Sequence, residues 1–250
     1  MSAHWNRFLQ AASKCSALFF LTTVATANPV TGTLQLTGTI TIGSTTFNFC
    51  NAGSACPPAP GNWNIPGIGT GDLANPYAND PNGGTITNLT SVNAPVGTLL
   101  PANGLLFLTF IPSVALAAPD IQFYLTKLLA GVGGTASCAA APAAGQTCTP
   151  SGSALTFLNV AGGTSTATIS IQGKSRRIST NEFDTLDVVV STQFPFSFQT
   201  VLAVLGGGGS VFSSYVSTYT ASNGSAVAPV LQGAGSRKTH GAAGTFNLPM

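Results

Sequence analysis

Residues 33–49 read TLQLTGTITIGSTTFNF, and this stretch decides the fold class. In its first ten residues the apolar side chains fall on one side of an extended chain, and threonine and glutamine fall on the other. That period of two is typical of a half-buried β-strand. Gly43 and Ser44 predict a turn, and residues 45–49 predict the strand that returns beside the first.

Comparable patterns recur along the chain, separated by stretches rich in Gly, Pro and Asn. Further strands are predicted at residues 85–89, 105–110, 121–125, 155–158, 164–171, 183–192 and 211–220, with a short strand entry at 69–73 and a last strand at 227–231. Many short strands joined by turns favour an all-β fold, a β-sandwich or a jelly-roll-like arrangement. No repeat of fixed period is visible, which argues against a solenoid.

Residues 197–205 (SFQTVLAVL) depart from this pattern. The helical face consists of Phe198, Val201, Leu202 and Leu205, which stand at positions i, i+3, i+4 and i+7. Ser197 is the predicted N-cap, and the glycines at 206–209 predict the end of the helix. We therefore expect one short helix packed against the sheet.

The N-terminal residues have the three parts of an export signal. Arg7 and Lys14 supply positive charge, residues 15–24 supply a short apolar stretch, and Ala25 and Ala27 suit a signal peptidase site. A membrane-spanning helix needs about 20 apolar residues, more than this stretch has. The predicted organisation is a signal peptide at 1–27, a β-rich domain at 28–221 and a flexible Ala/Gly/Ser-rich tail at 222–250. The protein is then secreted or held at the cell surface.

The net charge restricts the partners. The full chain has 8 Lys and Arg residues against 6 Asp and Glu residues, so loss of Arg7 and Lys14 leaves six against six. A neutral chain lacks the positive charge that releases counterions from nucleic acid. It also lacks a polybasic segment for anionic lipid. We expect no nucleic-acid partner and no stable membrane insertion of the mature chain.

One basic cluster stands out in this neutral chain. It consists of Lys174, Arg176 and Arg177, and the acidic stretch 182–187 (EFDTLD) follows it closely. Opposite charges so near in sequence favour local pairing, and we expect these side chains to neutralise one another.

Four of the five cysteines follow the export signal: Cys50, Cys56, Cys138 and Cys148. An even number in an exported chain predicts two disulfides. Three pairings are possible, and the local pairs Cys50–Cys56 and Cys138–Cys148 are favoured because each encloses a loop-like stretch. A zinc site is disfavoured because zinc ligands are generally closer in sequence.

The long loop around residue 80 contains the candidate metal ligands. Asn79, Asp80 and Asn82 bring together oxygen donors of the kind that calcium prefers. Asn and Asp also form turns without any metal, and this is the favoured interpretation. No cofactor is expected.

Aromatic side chains beside polar groups are the candidates for carbohydrate binding. Trp63 and Tyr77 lie in the long loop, and Tyr215 and Tyr219 share one face of a predicted strand. For these two tyrosines, packing in the core with the hydroxyl at its rim is the favoured alternative.

The sequence shows no recognisable arrangement of catalytic residues. A Ser-His-Asp arrangement needs a histidine in a folded site, and His240 lies in the predicted tail. Two carboxylates could hydrolyse a glycoside, and the candidates are Asp72, Asp80, Asp120, Glu182, Asp184 and Asp187. No pair among them has recognisable acid and base roles, so we do not expect an enzyme.

Several short motifs occur in a characteristic order: residues 37–39 (TGT), 107–110 (FLTF), 148–150 (CTP) after a cysteine-bounded loop, and 213–215 (SSY). This order resembles that of uncharacterised exported bacterial β-rich proteins, many of which carry a PEP-CTERM sorting tail. The resemblance implies an extracellular location and a β fold, and it implies no activity. The Val-Pro-Glu-Pro motif of that tail is absent here.

Three functions are therefore considered. The favoured one is a non-enzymatic extracellular or cell-surface protein, structural or adhesive, that works through its β surface. The alternative is a module that binds carbohydrate or another polymer, and a carboxylate glycoside hydrolase ranks third. Extracellular polysaccharide and other surface proteins are the partners that the first two functions imply.

Overall fold

The computed structural model describes residues 29–50, 61–62, 69–74, 84–110 and 120–223. Its strands are β1 Gly32–Ile42, β2 Thr46–Cys50, β3 Gly61–Asn62, β4 Gly84–Ile86, β5 Leu89–Thr90, β6 Leu105–Phe110, β7 Ile121–Leu128, β8 Thr147–Cys148, β9 Leu155–Asn159, β10 Ser165–Arg177, β11 Glu182–Phe194 and β12 Val211–Ser222. One helix, α1 Phe198–Gly206, lies between the last two strands. The all-β prediction is confirmed.

The strands form one curled antiparallel sheet in the order β3-β4-β6-β7-β10-β11-β12-β1-β2-β5. One edge of strand β10 pairs with two different strands in succession. Its first part pairs with β9, which in turn pairs with β8, and its second part pairs with β7. Its other edge pairs with β11 over the whole strand.

The inner face of this sheet closes around a single aromatic core. Phe49 on β2 meets Phe107 on β6 at a ring-centroid distance of 6.0 Å and Tyr215 on β12 at 5.5 Å. Phe123 on β7 stacks on Tyr219 of β12 at 5.4 Å. These strands are not neighbours in the sheet, so the contacts exist only because the sheet curls and packs its two ends face to face. Edge-to-face and stacked rings add to the stabilisation from apolar burial.

The first hairpin follows the predicted pattern. Strands β1 and β2 pair, and the Gly43 N–H donates to the Thr46 carbonyl at 2.9 Å to close the turn. Gly38 lies opposite Tyr215, and a Cβ atom at residue 38 would lie 2.7 Å from the tyrosine ring. Glycine is therefore required where the core tyrosine crosses β1.

The helix is confirmed, and it begins after Ser197 as predicted, but the serine side chain does not cap it. Phe198, Val201 and Leu205 are buried as expected, and the chain leaves the helix through Gly207 and Gly208. Ser197 occupies the N-cap position without a capping hydrogen bond. The Phe198 N–H instead donates to the side-chain oxygen of Asn159, at the end of β9, at 2.9 Å. Among the residues that the structure describes, no helix has the length and apolar character needed to cross a membrane.

Several boundaries differ from the sequence prediction. The strand predicted at 85–89 is divided between β4 and β5, and β7 continues three residues beyond its predicted end. Residues 71–73 form a 3₁₀ turn, and the predicted strand entry is reduced to an isolated bridge between Gly69 and Leu34. Strand β10 continues six residues beyond Ile171, the predicted end, to Arg177. The apolar alternation stops at Ile171, but backbone pairing to β7 and β11 continues.

One predicted disulfide is present. Cys138 and Cys148 are bonded with their Cα atoms 5.1 Å apart, which fastens the loop before β9. Cys56 lies outside the described residues, so the Cys50–Cys56 pair stays a prediction. The proposed signal peptide, the strand at 227–231 and most of the tail also lie outside the described residues.

Candidate functional site

The two candidate tyrosines are core residues, as the favoured interpretation expects, and neither ring is exposed to a ligand. Tyr215 is 1% exposed and Tyr219 is 0% exposed. Their hydroxyls do not reach the rim either, because both are buried without a hydrogen-bond partner among the described residues. Burial raises the pKa of Tyr219 well above its ordinary value, and the neighbouring Tyr215 raises it further. The Ser217 hydroxyl lowers the pKa slightly, although it does not reach hydrogen-bond geometry with the Tyr219 hydroxyl.

The loop candidates lie outside the residues that the structure describes. These are the aromatic residues Trp63 and Tyr77, the proposed calcium ligands Asn79, Asp80 and Asn82, and His240. Their predicted roles stay predictions. Within the described ranges, no group of three or more His, Cys, Asp or Glu side chains is arranged to hold a metal ion.

Asp72 joins two distant segments. Its carboxylate accepts a hydrogen bond from the Thr31 N–H at 2.9 Å and pairs with Arg177 at 3.2 Å. The backbone hydrogen bond from Thr31 and the Arg177 guanidinium hold the pKa of Asp72 below its usual value, and partial burial opposes them. This carboxylate is already engaged in connecting β1 to β10.

Other carboxylates are engaged in the same way. Asp120 accepts hydrogen bonds from Ser179, Glu182 from Thr180 at 3.0 Å, and Asp184 from the Val30 N–H at 2.6 Å. Each of these groups holds a turn or a strand end. A glycosidase needs two carboxylates that face one bound sugar. Here Asp120 and Glu182 are both bonded to the turn at residues 179–180, and Asp72 and Asp184 to residues 30–31, so each carboxylate already serves a structural contact.

The basic cluster does not pair locally as predicted. In the described part of the chain the one ion pair is that of Arg177 with Asp72, and no carboxylate lies within 4.0 Å of Lys174 or Arg176. The cause is strand alternation. Lys174 and Arg176 lie opposite Thr185 and Phe183, on the other face of the sheet from Glu182 and Asp184. Arg177 shares the face of Glu182 but pairs with Asp72 instead.

The outer face of the central sheet is covered by short polar side chains. One row runs from Thr37 through Val216 and Ser191 to Thr168, and parallel rows lie on either side. We call this surface the hydroxyl face and define it as Thr33, Gln35, Thr37, Thr168, Ser170, Gln172, Asp187, Val189, Ser191, Val216, Thr218 and Thr220. Burial raises the pKa of its single carboxyl, Asp187.

The hydroxyl face lies on the outside of the curled sheet. None of its side chains is fully buried, and Val216 is 47% exposed. Strands about 4.8 Å apart and alternate residues about 6.8 Å apart give this face roughly 14 Å in each direction. Side chains of similar length on such a grid present hydroxyl and amide groups at regular spacing.

A cluster of rings and cations continues the outer face toward β7. We call it the aromatic–cationic patch and define it as Gln122, Tyr124, Lys174, Arg176 and Phe183. The Tyr124 and Phe183 rings meet edge to face at 5.9 Å. The Lys174 Nζ and the Arg176 Cζ lie over the Phe183 ring, 5.6 and 5.8 Å from its centroid. Strand pairing sets this arrangement, because Tyr124 lies opposite Lys174 and Gln122 opposite Arg176.

A bulge places Tyr124 in the patch. The pairing of β7 with β10 shifts between Gln172 and Gly173. A Cβ atom at Gly173 would lie 2.3 Å from the Tyr124 carbonyl oxygen, so glycine permits the close backbone approach.

Sequence reasoning missed this patch. The spacing of Lys174 and Arg176 two residues apart was the available signal, because it places both on one face of any strand. The strand predicted at 164–171 ends before them, so the prediction does not place them on one face.

Comparison with protein-family models, with curated proteins and with solved structures finds no match for this chain. The resemblance to exported β-rich proteins with a PEP-CTERM tail stays a prediction.

Proposed function

We propose that this chain is a non-enzymatic extracellular adhesive protein that binds a hydroxyl-rich polymer through its hydroxyl face. The observation that carries the proposal is the composition of that face: threonine, serine and glutamine dominate it, and Asp187 is its single ionisable group.

The chemistry of this face suits a neutral polysaccharide. Hydroxyl groups donate and accept hydrogen bonds, and glutamine amides do both as well, so they match sugar hydroxyls without a fixed orientation. The face offers many similar groups on a surface of roughly 14 Å by 14 Å, which favours numerous modest contacts. Several weak contacts between this face and successive units of one polymer chain add up to a higher overall affinity.

The engagement of the carboxylates supports binding over catalysis. Asp72, Asp120, Glu182 and Asp184 accept hydrogen bonds from the turns and strand ends around them. The hydroxyl face contains none of these four groups.

An exported location is part of the proposal. The three-part N-terminal pattern supports it. The Cys138–Cys148 disulfide supports it as well, because disulfides persist in oxidising compartments outside the cytosol.

The test is depletion of the protein by insoluble neutral polysaccharides, such as cellulose, chitin and galactan. Thr218→Lys places a long charged side chain at the centre of the hydroxyl face, between Gln35 and Val189. We expect binding to weaken about fivefold or more, the equivalent of one lost hydrogen-bond contribution. Ser151→Lys, in an exposed turn between β8 and β9, is the matched control.

Both variants add one positive charge, so a comparison of the two distinguishes an effect of the hydroxyl face on binding from an effect of net charge. The proposal holds if Thr218→Lys alone weakens binding while both variants keep the thermal stability of the parent protein. Equal binding by both variants, or no binding of the parent to any neutral polymer, would refute it.

A further inference from the structure

We infer that the aromatic–cationic patch binds the carboxylate of an acidic sugar unit, so that a uronate-containing polysaccharide is the preferred ligand. This inference rests on the proposed function and adds the class of polymer. It depends on unsatisfied, oriented hydrogen-bond donors at one end of the outer face.

Arg176 is held in place with part of its guanidinium unused. Its Nε donates to the Asn181 side-chain oxygen at 2.9 Å, and its Nη1 lies 3.3 Å from the Gln122 side-chain oxygen and 3.2 Å from the Tyr124 hydroxyl. The Tyr124 hydroxyl donates in turn to Gln122 at 2.9 Å. No partner for Nη2 is found among the described residues, so its two N–H groups are oriented and available.

Lys174 supplies a second available cation. Its Nζ has no hydrogen-bond partner or carboxylate within reach in the described part of the chain. Phe183 lies beneath both cations and holds them near each other through cation–π attraction. A carboxylate has two acceptor oxygens, which matches the Nη2 group of Arg176 and the ammonium group of Lys174.

The surroundings favour a sugar acid over a polyphosphate. Polyphosphate chains bind by releasing many counterions, which requires many cations. This surface has few: Lys127 lies opposite Gln172, and Asp187 lies on the other side of that glutamine with opposite charge. The half-buried ring of Tyr124 offers apolar surface to the C–H groups of a sugar, whereas a phosphate chain has no C–H groups to place against it.

The experiment compares polygalacturonate with neutral galactan, using the full chain and isothermal titration calorimetry at moderate salt. Arg176→Gln and Lys174→Gln each remove one donor from the patch. Lys127→Gln is the matched control, because it removes the same charge from the same face away from the Phe183 ring.

The parent protein should bind polygalacturonate more tightly than galactan. Arg176→Gln and Lys174→Gln should each weaken polygalacturonate binding about tenfold, which corresponds to the loss of a hydrogen bond to a charged group. Neither variant should change galactan binding, and Lys127→Gln should change polygalacturonate binding less than about twofold.

Three results would overturn the inference. One is equal binding of the two polymers, another is an equal loss in all three variants, which indicates general charge attraction, and the third is equally tight binding of single-stranded DNA. Failure of the hydroxyl-face proposal is distinct, because it shows as absence of galactan binding or as indifference to Thr218→Lys.

Discussion

The buried hydroxyl of Tyr219 gives the sharpest test of the core. Tyr219 is 0% exposed, and its hydroxyl has no hydrogen-bond partner among the described residues. A buried polar group without a partner costs about 1–3 kcal/mol of stability. Tyr219→Phe removes that cost while it keeps the ring stacked on Phe123 at 5.4 Å.

The void that the missing hydroxyl leaves opposes this gain in stability, but its free-energy cost is small. Loss of one hydroxyl leaves a void on the order of 10–15 Å³, and at about 24 cal/mol per Å³ that void costs on the order of 0.3 kcal/mol. We therefore expect Tyr219→Phe to raise the free energy of unfolding by about 1–2 kcal/mol. For a domain of this size, each kcal/mol raises the midpoint by roughly 2–4 °C.

Urea denaturation and thermal melting measure the effect, and Tyr124→Phe is the matched control. The Tyr124 hydroxyl bonds to Gln122 and Arg176, so its removal should lower stability by about 1 kcal/mol. A loss of stability in Tyr219→Phe as large as that in the control would refute the reasoning. It would show that the Tyr219 hydroxyl makes a stabilising bond inside the core.

Three further predictions concern stability. Replacing Cys138 and Cys148 by serine opens a short disulfide loop of sequence separation 10, so the unfolding free energy should fall by about 2–3 kcal/mol; an unchanged urea midpoint would contradict this. Asn159→Ala leaves the first N–H of α1 without its acceptor and should cost about 1–3 kcal/mol in the same assay, while loss in Ser197→Ala should be smaller because Ser197 makes no capping bond. Tyr215 and Tyr219 have raised pKa values in the fold, so above about pH 10 only the unfolded chain releases their protons. The free energy of unfolding should therefore fall by about 1.4 kcal/mol per pH unit for each tyrosine. Phenolate absorbance of all tyrosines at pH 10 in the folded protein would disprove this prediction.

Local periodicity was enough to find the strands that bury one face. Leu34, Leu36, Ile40 and Ile42 are all buried, as their spacing predicts. The same rule failed where a strand is held by its neighbours instead of by its own apolar residues. Residues 172–177 are mostly polar, and they stay extended because β7 and β11 pair with them on both edges.

Contacts between distant segments explain the other errors. The helix cap comes from Asn159, which precedes the helix by 39 residues, and no local pattern connects the two. Arg177 pairs with Asp72 across 105 residues, whereas the nearby acidic stretch pairs with neither Lys174 nor Arg176. The aromatic–cationic patch likewise depends on the register between three strands, which a single sequence does not specify.

The pairing of β1 with β12 determines when the sheet can form. Gly32 lies opposite Ala221, so the first strand and the last strand of the described sheet are partners over their whole length. The chain must close this long loop and lose entropy before any contact between the two strands can compensate for the loss. Folding is therefore slow. The rows that contain Thr33 and Thr37 thus exist only after the last strand has been synthesised. We expect refolding from urea on the slow, millisecond-to-second scale of non-local β folds, and an intact hydroxyl face only in chains that contain β12.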